Sequence, residues 1–202
     1  MPKHNFCLKK SFVSELVFVL SGAVVMLFAF LIMLPQVEAN SHAEGETTDE
    51  GIVIVFSPEI DVSLKSSDDG YYKIVKDTVE ISTNSQNGYT LYLSTDTAEH
   101  QDIYLNGDTS SSSKISGTSG TYESPKPLED YTWGWAVPGM SHFNDSYDTD
   151  NPSADAKFAA TPLSNQIIRD YIEPATGDTA EVYYGFKLGG ELEAGNYETN
   201  IT

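Results

Sequence analysis

Short runs of alternating apolar and polar residues recur from residue 52 to the end of the chain, and they predict β-strands. The apolar run at 52–56 and the alternation at 60–65 predict two early strands. Alternating segments at 79–82 and 89–94 flank Asn87-Gly88, a pair that favours the positive φ angles of a tight turn. These two segments therefore predict a β-hairpin.

The second half of the chain repeats this pattern between polar loops. Further strands are predicted at 103–105, 131–137, 182–188 and 197–201. The segment 163–172 fits two interpretations, because its apolar residues would line one face of a short helix while its adjacent isoleucines suit a strand. Many short strands with no long helical pattern and no βαβ spacing predict an all-β fold, an antiparallel β-sandwich.

A different pattern occupies the N-terminus. Residues 16–34 form an uncharged apolar run of 19 residues whose only polar side chain is Ser21, and the three lysines Lys3, Lys9 and Lys10 precede it. Such a run after a basic segment predicts a signal peptide or an N-terminal membrane anchor, a hydrophobic helix in either case. Both interpretations place the acidic remainder outside the cytoplasm, as a secreted or surface-held domain.

These boundaries predict three segments: 1–39 as the signal peptide or anchor, 40–51 as a flexible acidic spacer, and 52–202 as the β-sandwich domain. Small residues before Asn40 and Glu44 fit cleavage at either position. A third interpretation of the N-terminus is a pilin-like processing site before the apolar run. It fits imperfectly, because a cut before Phe12 makes Glu15 the fourth mature residue rather than the fifth.

Charge and cysteine content narrow the function. The chain has a formal net charge of -19, and removal of its first 39 residues leaves 28 acidic and 8 basic residues, or -20. So large a negative charge excludes nucleic acid and anionic lipid as partners. The remaining roles for it are to keep the protein soluble or to bind divalent cations. The only cysteine, Cys7, precedes the apolar run, so the domain has no intrachain disulfide and is typical of bacterial surface proteins.

Catalytic patterns are not found in the sequence. The histidines beyond residue 34 are His42, His100 and His142, and no G-x-S-x-G elbow or closely spaced histidine or cysteine pair accompanies them. We therefore expect no enzymatic activity and no cofactor.

An acidic loop at 144–155 carries candidate calcium ligands, because hard oxygen ligands are what calcium prefers. The candidates are Asp145, Asp148, Asp150 and Asp155. Their spacing is not that of an EF-hand, since Pro152 takes a ligand position and Ser153 replaces the required glycine. The loop is either a solvated acidic surface or a weak, irregular calcium site.

An aromatic row at Tyr131, Trp133 and Trp135 offers a second candidate, because alternate residues of a strand share one face. Exposed, the row would stack on sugar rings and bind carbohydrate. Buried, the same side chains would form the core of the sandwich. The sequence leaves both interpretations open.

Three strings carry a resemblance to known proteins: TVEISTNSQNGYTLYLST, YTWGWAV and ATGDTAEVYYGFKLGGELEAGNYETNIT. They resemble uncharacterised extracytoplasmic β-sandwich surface proteins of Gram-positive and candidate-phylum bacteria and, more distantly, WxL-type cell-wall-binding domains. The W-x-L motif itself is not matched, since Trp133-Gly134-Trp135 stands in its place. The resemblance implies a non-enzymatic cell-surface module with a structural or adhesion role and with partners in the cell envelope or on host or neighbouring surfaces.

Overall fold

The described residues form an all-β fold, which confirms the all-β part of the predicted fold class. The structure, a computed structural model, describes residues 3–10, 51–56, 59–65, 71–140, 142–190 and 192–202. Its one helical turn in those ranges is the 3₁₀ segment Glu99–Gln101. No helix among the described residues is long and apolar enough to cross a membrane. The apolar helix predicted at 16–34 and the spacer predicted at 40–51 lie outside the described residues, except Gly51.

The described residues contain thirteen strands. They are β1 Lys3–Lys10, β2 Ile52–Val55, β3 Glu59–Lys65, β4 Tyr71–Thr83, β5 Tyr89–Leu93, β6 Ile103–Leu105, β7 Lys114–Gly117, β8 Lys126–Pro127, β9 Thr132–Ala136, β10 Lys157–Phe158, β11 Gln166–Tyr171, β12 Ala175–Leu188 and β13 Asn196–Ile201. The early strands and those near 103, 132, 182 and 197 lie where the alternation predicted them.

Nine of these strands form one curled sheet in the order β2-β4-β12-β9-β7-β6-β13-β1-β3. Most neighbours are antiparallel, and the parallel pairs are β1 with β13 and β7 with β9. The segment Lys3–Lys10, predicted as the basic start of a leader, here pairs with β13 on one side and β3 on the other. The same segment is therefore a strand of the sheet in this structure.

Strands β4 and β12 form the longest strand pair in the sheet. The two strands pair from Tyr71 with Leu188 to Thr83 with Ala175. Along the second half of β4, Val79 and Ile81 are buried while Glu80 is exposed. This alternation puts one apolar face of the pair into the core, as the period of two in the sequence predicted.

A separate pair, β5 with β11, covers that apolar face. Leu91 of β5 and Ile168 of β11 line a small gap of about 20 Å³ together with Val79 of β4 and Val182 of β12. Leu91, Val79 and Val182 are all buried, so the two pairs pack against each other through their apolar faces.

The hairpin predicted between residues 79 and 94 is wrong, although its strands and its turn are present. Gly88 has a φ of 69° and its N–H bonds to the carbonyl of Ser85 at 3.1 Å. However, β4 pairs with β2 and β12, whereas β5 pairs with β11. Because both edges of β4 are already occupied near Thr83, the turn carries the chain across the core to the facing pair.

The segment left undecided between helix and strand is strand β11. Its register with β5 shifts between Ile167 and Arg169, and β12 has a similar irregularity between Ala175 and Asp178. Such bulges redirect side chains locally. Here they bring Arg169 and Asp178 into contact.

Candidate functional site

Strand β9 places both candidate tryptophans in the core. Trp133 and Trp135 are each 0% exposed. Their indole N–H groups donate to the backbone carbonyls of Gln101 at 2.8 Å and Ala160 at 2.9 Å. Because a sugar ring must reach the face of an aromatic ring to stack on it, these two side chains do not form a carbohydrate platform in this structure.

Other aromatic rings pack around both tryptophans. Trp133 stacks on Phe186 of β12 with ring centres 6.2 Å apart and planes 12° apart. Trp135 lies 5.3 Å from the ring of Phe143 and 6.4 Å from that of Tyr122, nearly parallel to the latter. The aromatic row is therefore part of a larger cluster that stabilises the fold.

Tyr131, the third member of the predicted row, lies just before β9 rather than in it. Its φ of 60° is in the left-handed region, which few non-glycine residues adopt. Its ring packs over Gly189, where an added Cβ would lie 2.6 Å from the tyrosine Cε2. The change of backbone conformation removes Tyr131 from the face that Trp133 and Trp135 share.

The acidic loop at 144–155 uses its best-placed carboxylate to hold its own backbone. Asp148 Oδ1 accepts the N–H groups of Asn151 at 2.9 Å and Asp150 at 2.8 Å. These bonds keep the pKa of Asp148 below its ordinary value. Asp145, Asp150 and Asp155 are exposed. Across the described ranges, no three histidine, cysteine, aspartate or glutamate side chains converge where they could hold a metal ion.

Two aromatic side chains fix that loop to the sheet. Tyr147 stacks on Tyr183 of β12 with ring centres 5.3 Å apart, and its hydroxyl donates to the carbonyl of Lys157 at 2.6 Å. Burial raises the pKa of Tyr147 to about 12. Phe158, 0% exposed, packs on the paired glycines Gly134 and Gly185, where an added Cβ on either residue would clash with it. The loop is thus an ordered cover on the outer face of β9 and β12.

His100 and His142 lie beside carboxylates. His100 Nδ1 contacts Asp96 Oδ1, and His142 Nε2 lies 3.3 Å from Glu123 Oε2. The hydrogen bond with His100 is the main cause that lowers the pKa of Asp96. His100 also lines a polar cleft of about 260 Å³ together with Tyr104 and Glu198. Thr199 lines the same cleft, and its hydroxyl donates to the backbone carbonyl of His100 at 2.7 Å.

A cluster that the sequence interpretation missed joins β5, β11 and β12. Arg169 donates to both carboxylate oxygens of Asp178, at 3.0 Å from Nε and 2.7 Å from Nη2, and the Tyr89 hydroxyl donates to the same carboxylate. Burial and the bond to Asp178 raise the pKa of Tyr89 to about 12. Partial burial acts to raise the pKa of Asp178, but its bonds with Arg169 and Tyr89 together hold it below its ordinary value.

One signal would have pointed to this cluster, because Arg169 is the only arginine in a chain with 30 acidic residues. A guanidinium fits a carboxylate through two parallel hydrogen bonds, and so a lone arginine on a strand favours a specific partner.

Beside the cluster lies a second cleft of about 320 Å³, with Val137, Met140 and Ile168 as its apolar wall and Arg169 and Glu181 as its charges.

Comparison with known proteins gives no relative: no family model, curated protein or solved structure matches the chain.

Proposed function

We propose that the protein is an exported, non-enzymatic bacterial cell-surface module with a structural or adhesion role. The proposal rests on how the fold uses the aromatic and acidic side chains that are best suited to bind a ligand. Trp133 and Trp135 fill the core, and Asp148 caps the backbone of its own loop. A domain whose aromatic and acidic groups serve its own stability suits a module that holds or joins surfaces.

Charge and sequence pattern support the cellular location. The basic residues ahead of the apolar run at 16–34 favour export of the rest of the chain. An acidic, disulfide-free domain of this size suits the outer surface of a bacterium, and the resemblance to extracytoplasmic surface proteins agrees with it. The partners we propose are components of the cell envelope or of host and neighbouring surfaces.

We also propose that the domain works as a two-layer β-sandwich. Support comes from the burial of Val79 and Ile81 on β4 together with Leu91 and Leu93 on β5, which face each other across the core. Two apolar sheet faces packed in this way define a sandwich core. The covering of β4 and β12 by the pair β5 and β11 is the most sandwich-like part of the fold.

Export has a consequence for β1. A segment held on the cytoplasmic side, or removed with a signal peptide, cannot pair with strands of a domain outside. The proposal therefore requires the exported domain to keep its fold without Lys3–Lys10 between β13 and β3. N-terminal sequencing of the mature protein shows whether that segment is retained.

Reporter fusions after Thr202 test the topology. We expect activity from a reporter that folds only outside the cytoplasm and none from one that works only in the cytosol. A matched variant without residues 16–34 should reverse both results, because it lacks the predicted export signal. Activity of the cytosolic reporter on the intact chain would overturn export and leave β1 free to remain in the sheet.

A further inference from the structure

Strand β2 is an exposed apolar edge of the curled sheet. It is the terminal strand in the sheet order, next to β4. Ile52, Val53 and Val55 are 43%, 62% and 59% exposed. Natural proteins usually protect such edges with charges, proline or a covering segment, since an open apolar edge pairs readily with another strand.

The backbone of β2 shows which groups face outward. Asn84 N–H donates to the Gly51 carbonyl, so Gly51 and every second residue after it point their hydrogen-bonding groups at β4. Ile52 and Ile54 consequently direct their N–H and C=O groups away from β4. Among the described residues, no strand lies beyond them. The side chains of Val53 and Val55 both lie on the outer face, opposite Ser82 and Glu80 of β4.

We propose that β2 is a self-association edge that pairs antiparallel with β2 of a second copy about a twofold axis at Ile54. The sequence around this residue is nearly symmetric, with valine on both sides and the apolar Ile52 and Phe56 beyond. The axis places Val53 of each copy opposite Val55 of the other copy. The two most exposed side chains of the strand then become buried against each other as a close, non-hydrogen-bonded pair.

Charge favours a second copy as the occupant. The chain has a net charge of -19, so most of its surface repels another copy, but residues 51–56 contain no charged side chain. Glu80 is the acidic residue that pairs directly with β2. In the proposed dimer, the two Glu80 side chains are about three strand spacings, roughly 14 Å, apart, which exceeds the Debye length of about 8 Å at physiological salt. Residues 51–56 are therefore the part of the edge where copies can meet without strong repulsion, whereas the acidic residues Asp49, Glu50 and Glu59 flank them in the sequence.

Pairing of one short strand buries little area, so we expect a weak dimer that forms in the micromolar to millimolar range. Analytical ultracentrifugation of the purified full chain from about 1 μM to about 1 mM should show this equilibrium. More dimer should form at high salt, because salt screens the repulsion between acidic copies. The double variant Val53→Lys/Val55→Lys should weaken association at least tenfold, since it places four lysines at the shared edge.

The matched control is Tyr92→Lys, which changes another exposed apolar residue, 42% exposed, on β5. It should associate like the unaltered chain. Association through any other part of the molecule is common to all three proteins, so the difference between them measures the β2 edge alone. A chain that stays monomeric throughout, or a double lysine variant that associates as strongly as the control, would overturn the proposal.

Cross-linking tests the register. In a Cys7→Ser background, an oxidised mixture of Val53→Cys and Val55→Cys chains should form a disulfide-linked pair, because facing residues in such a pair have Cα atoms about 4.5 Å apart. Val53→Cys alone should form far less, since its partner position is occupied by valine. Equal cross-linking by Val53→Cys alone would overturn the axis at Ile54.

Discussion

At the scale of single residues, the most specific contact in the fold is the pair formed by Arg169 and Asp178. Two bulges bring these residues together, and the Tyr89 hydroxyl completes the arrangement from a third strand. The Asp178 side chain is 18% exposed and that of Arg169 is 40% exposed. Since the guanidinium is bound through two nitrogens, this contact has the geometry in which an ion pair contributes measurably to stability.

Replacement of Asp178 by asparagine tests this contribution. Asp178→Asn keeps the size of the side chain but removes the charge that both Nε and Nη2 of Arg169 contact. We expect the free energy of unfolding at neutral pH to fall by about 1–3 kcal/mol, because hydrogen bonds to charged groups contribute about 1.5–3 kcal/mol and the 40% exposure of Arg169 reduces that contribution. Urea unfolding measures it. The control Asp155→Asn removes a charge from an exposed loop position and should change stability by less than about 0.5 kcal/mol.

The pH dependence of that difference follows from the direction of the pKa shift. Folding lowers the pKa of Asp178, so its carboxylate stabilises the fold above the pKa it has in the unfolded chain, about 3.9. That stabilisation is lost as the pH falls through the lower, folded-state pKa. The difference between the unaltered chain and Asp178→Asn should therefore shrink below about pH 4. A difference that stays constant from pH 7 to pH 3 would contradict an ionic contribution.

At the scale of elements, a pair of glycines determines how the loop after β9 packs on the sheet. Gly134 of β9 and Gly185 of β12 are directly opposite in the register, and Phe158 of β10 occupies the space that their missing side chains leave. An added Cβ at Gly185 would lie 2.6 Å from Cζ of Phe158, whereas one at Gly134 would lie 2.7 Å from the backbone oxygen of Ala159. The nearest obstacle to a side chain at Gly185 is therefore another side chain, whereas the nearest obstacle at Gly134 is the main chain.

This difference predicts a rescue that depends on position. Gly185→Ala should destabilise the fold by about 1–3 kcal/mol through overpacking, and Phe158→Leu by a similar amount. The double variant should cost less than the sum by at least about 0.5 kcal/mol, because the smaller leucine makes room for the new methyl group. Phe158→Leu should not rescue Gly134→Ala to the same degree, since backbone blocks that position. Denaturant unfolding of the three single and two double variants, with midpoint and slope fitted for each, gives these free energies.

Gly51→Ala is the matched control for these substitutions. An added Cβ there has no neighbour within 4 Å, so its stability should equal that of the unaltered chain within about 0.5 kcal/mol. Additive costs for Gly185→Ala and Phe158→Leu would show that the two residues do not share the space assigned to them.

Local pattern was sufficient to predict most strands but not how they pair. The alternation at 79–82 and 89–94 correctly located the C-terminal part of β4 and all of β5, because burial on one face imposes a period of two. Their pairing depends on which strand occupies the edges of β4, and β2 and β12, far away in sequence, occupy both. Tertiary contacts of this kind leave no signal in the turn itself.

The surroundings of the candidate residues could not be predicted for a related reason. An aromatic row such as Trp133 and Trp135 has the same sequence pattern whether it is exposed or buried, and the layer that packs on it decides the outcome. The ion pair of Arg169 with Asp178 depends on bulges, which shift side chains by one position without a distinctive sequence. In both cases the sequence shows which residue types are present, but only the fold shows which groups surround them.

At the scale of the whole molecule, excess negative charge opposes compactness. A net charge of -19 destabilises a folded chain through self-repulsion, and dissolved salt reduces that repulsion. Any cation therefore stabilises the protein somewhat, whether or not it occupies a site. A test for calcium must separate this general effect from specific binding.

We expect calcium to stabilise the protein no more than magnesium does at equal ionic strength. Asp148 Oδ1 accepts the N–H groups of Asp150 and Asn151, and among the described residues no three acidic or histidine side chains converge to complete a calcium site around it. A ligand that binds only the folded state adds about 2.7 kcal/mol at 100 times its dissociation constant, which corresponds to several degrees in melting temperature for a domain of this size. Melts with millimolar calcium, with magnesium and with chelator should coincide within about a degree. A calcium-specific rise of several degrees that Asp148→Asn abolishes, and that Asp178→Asn leaves intact, would establish the acidic loop as a calcium site.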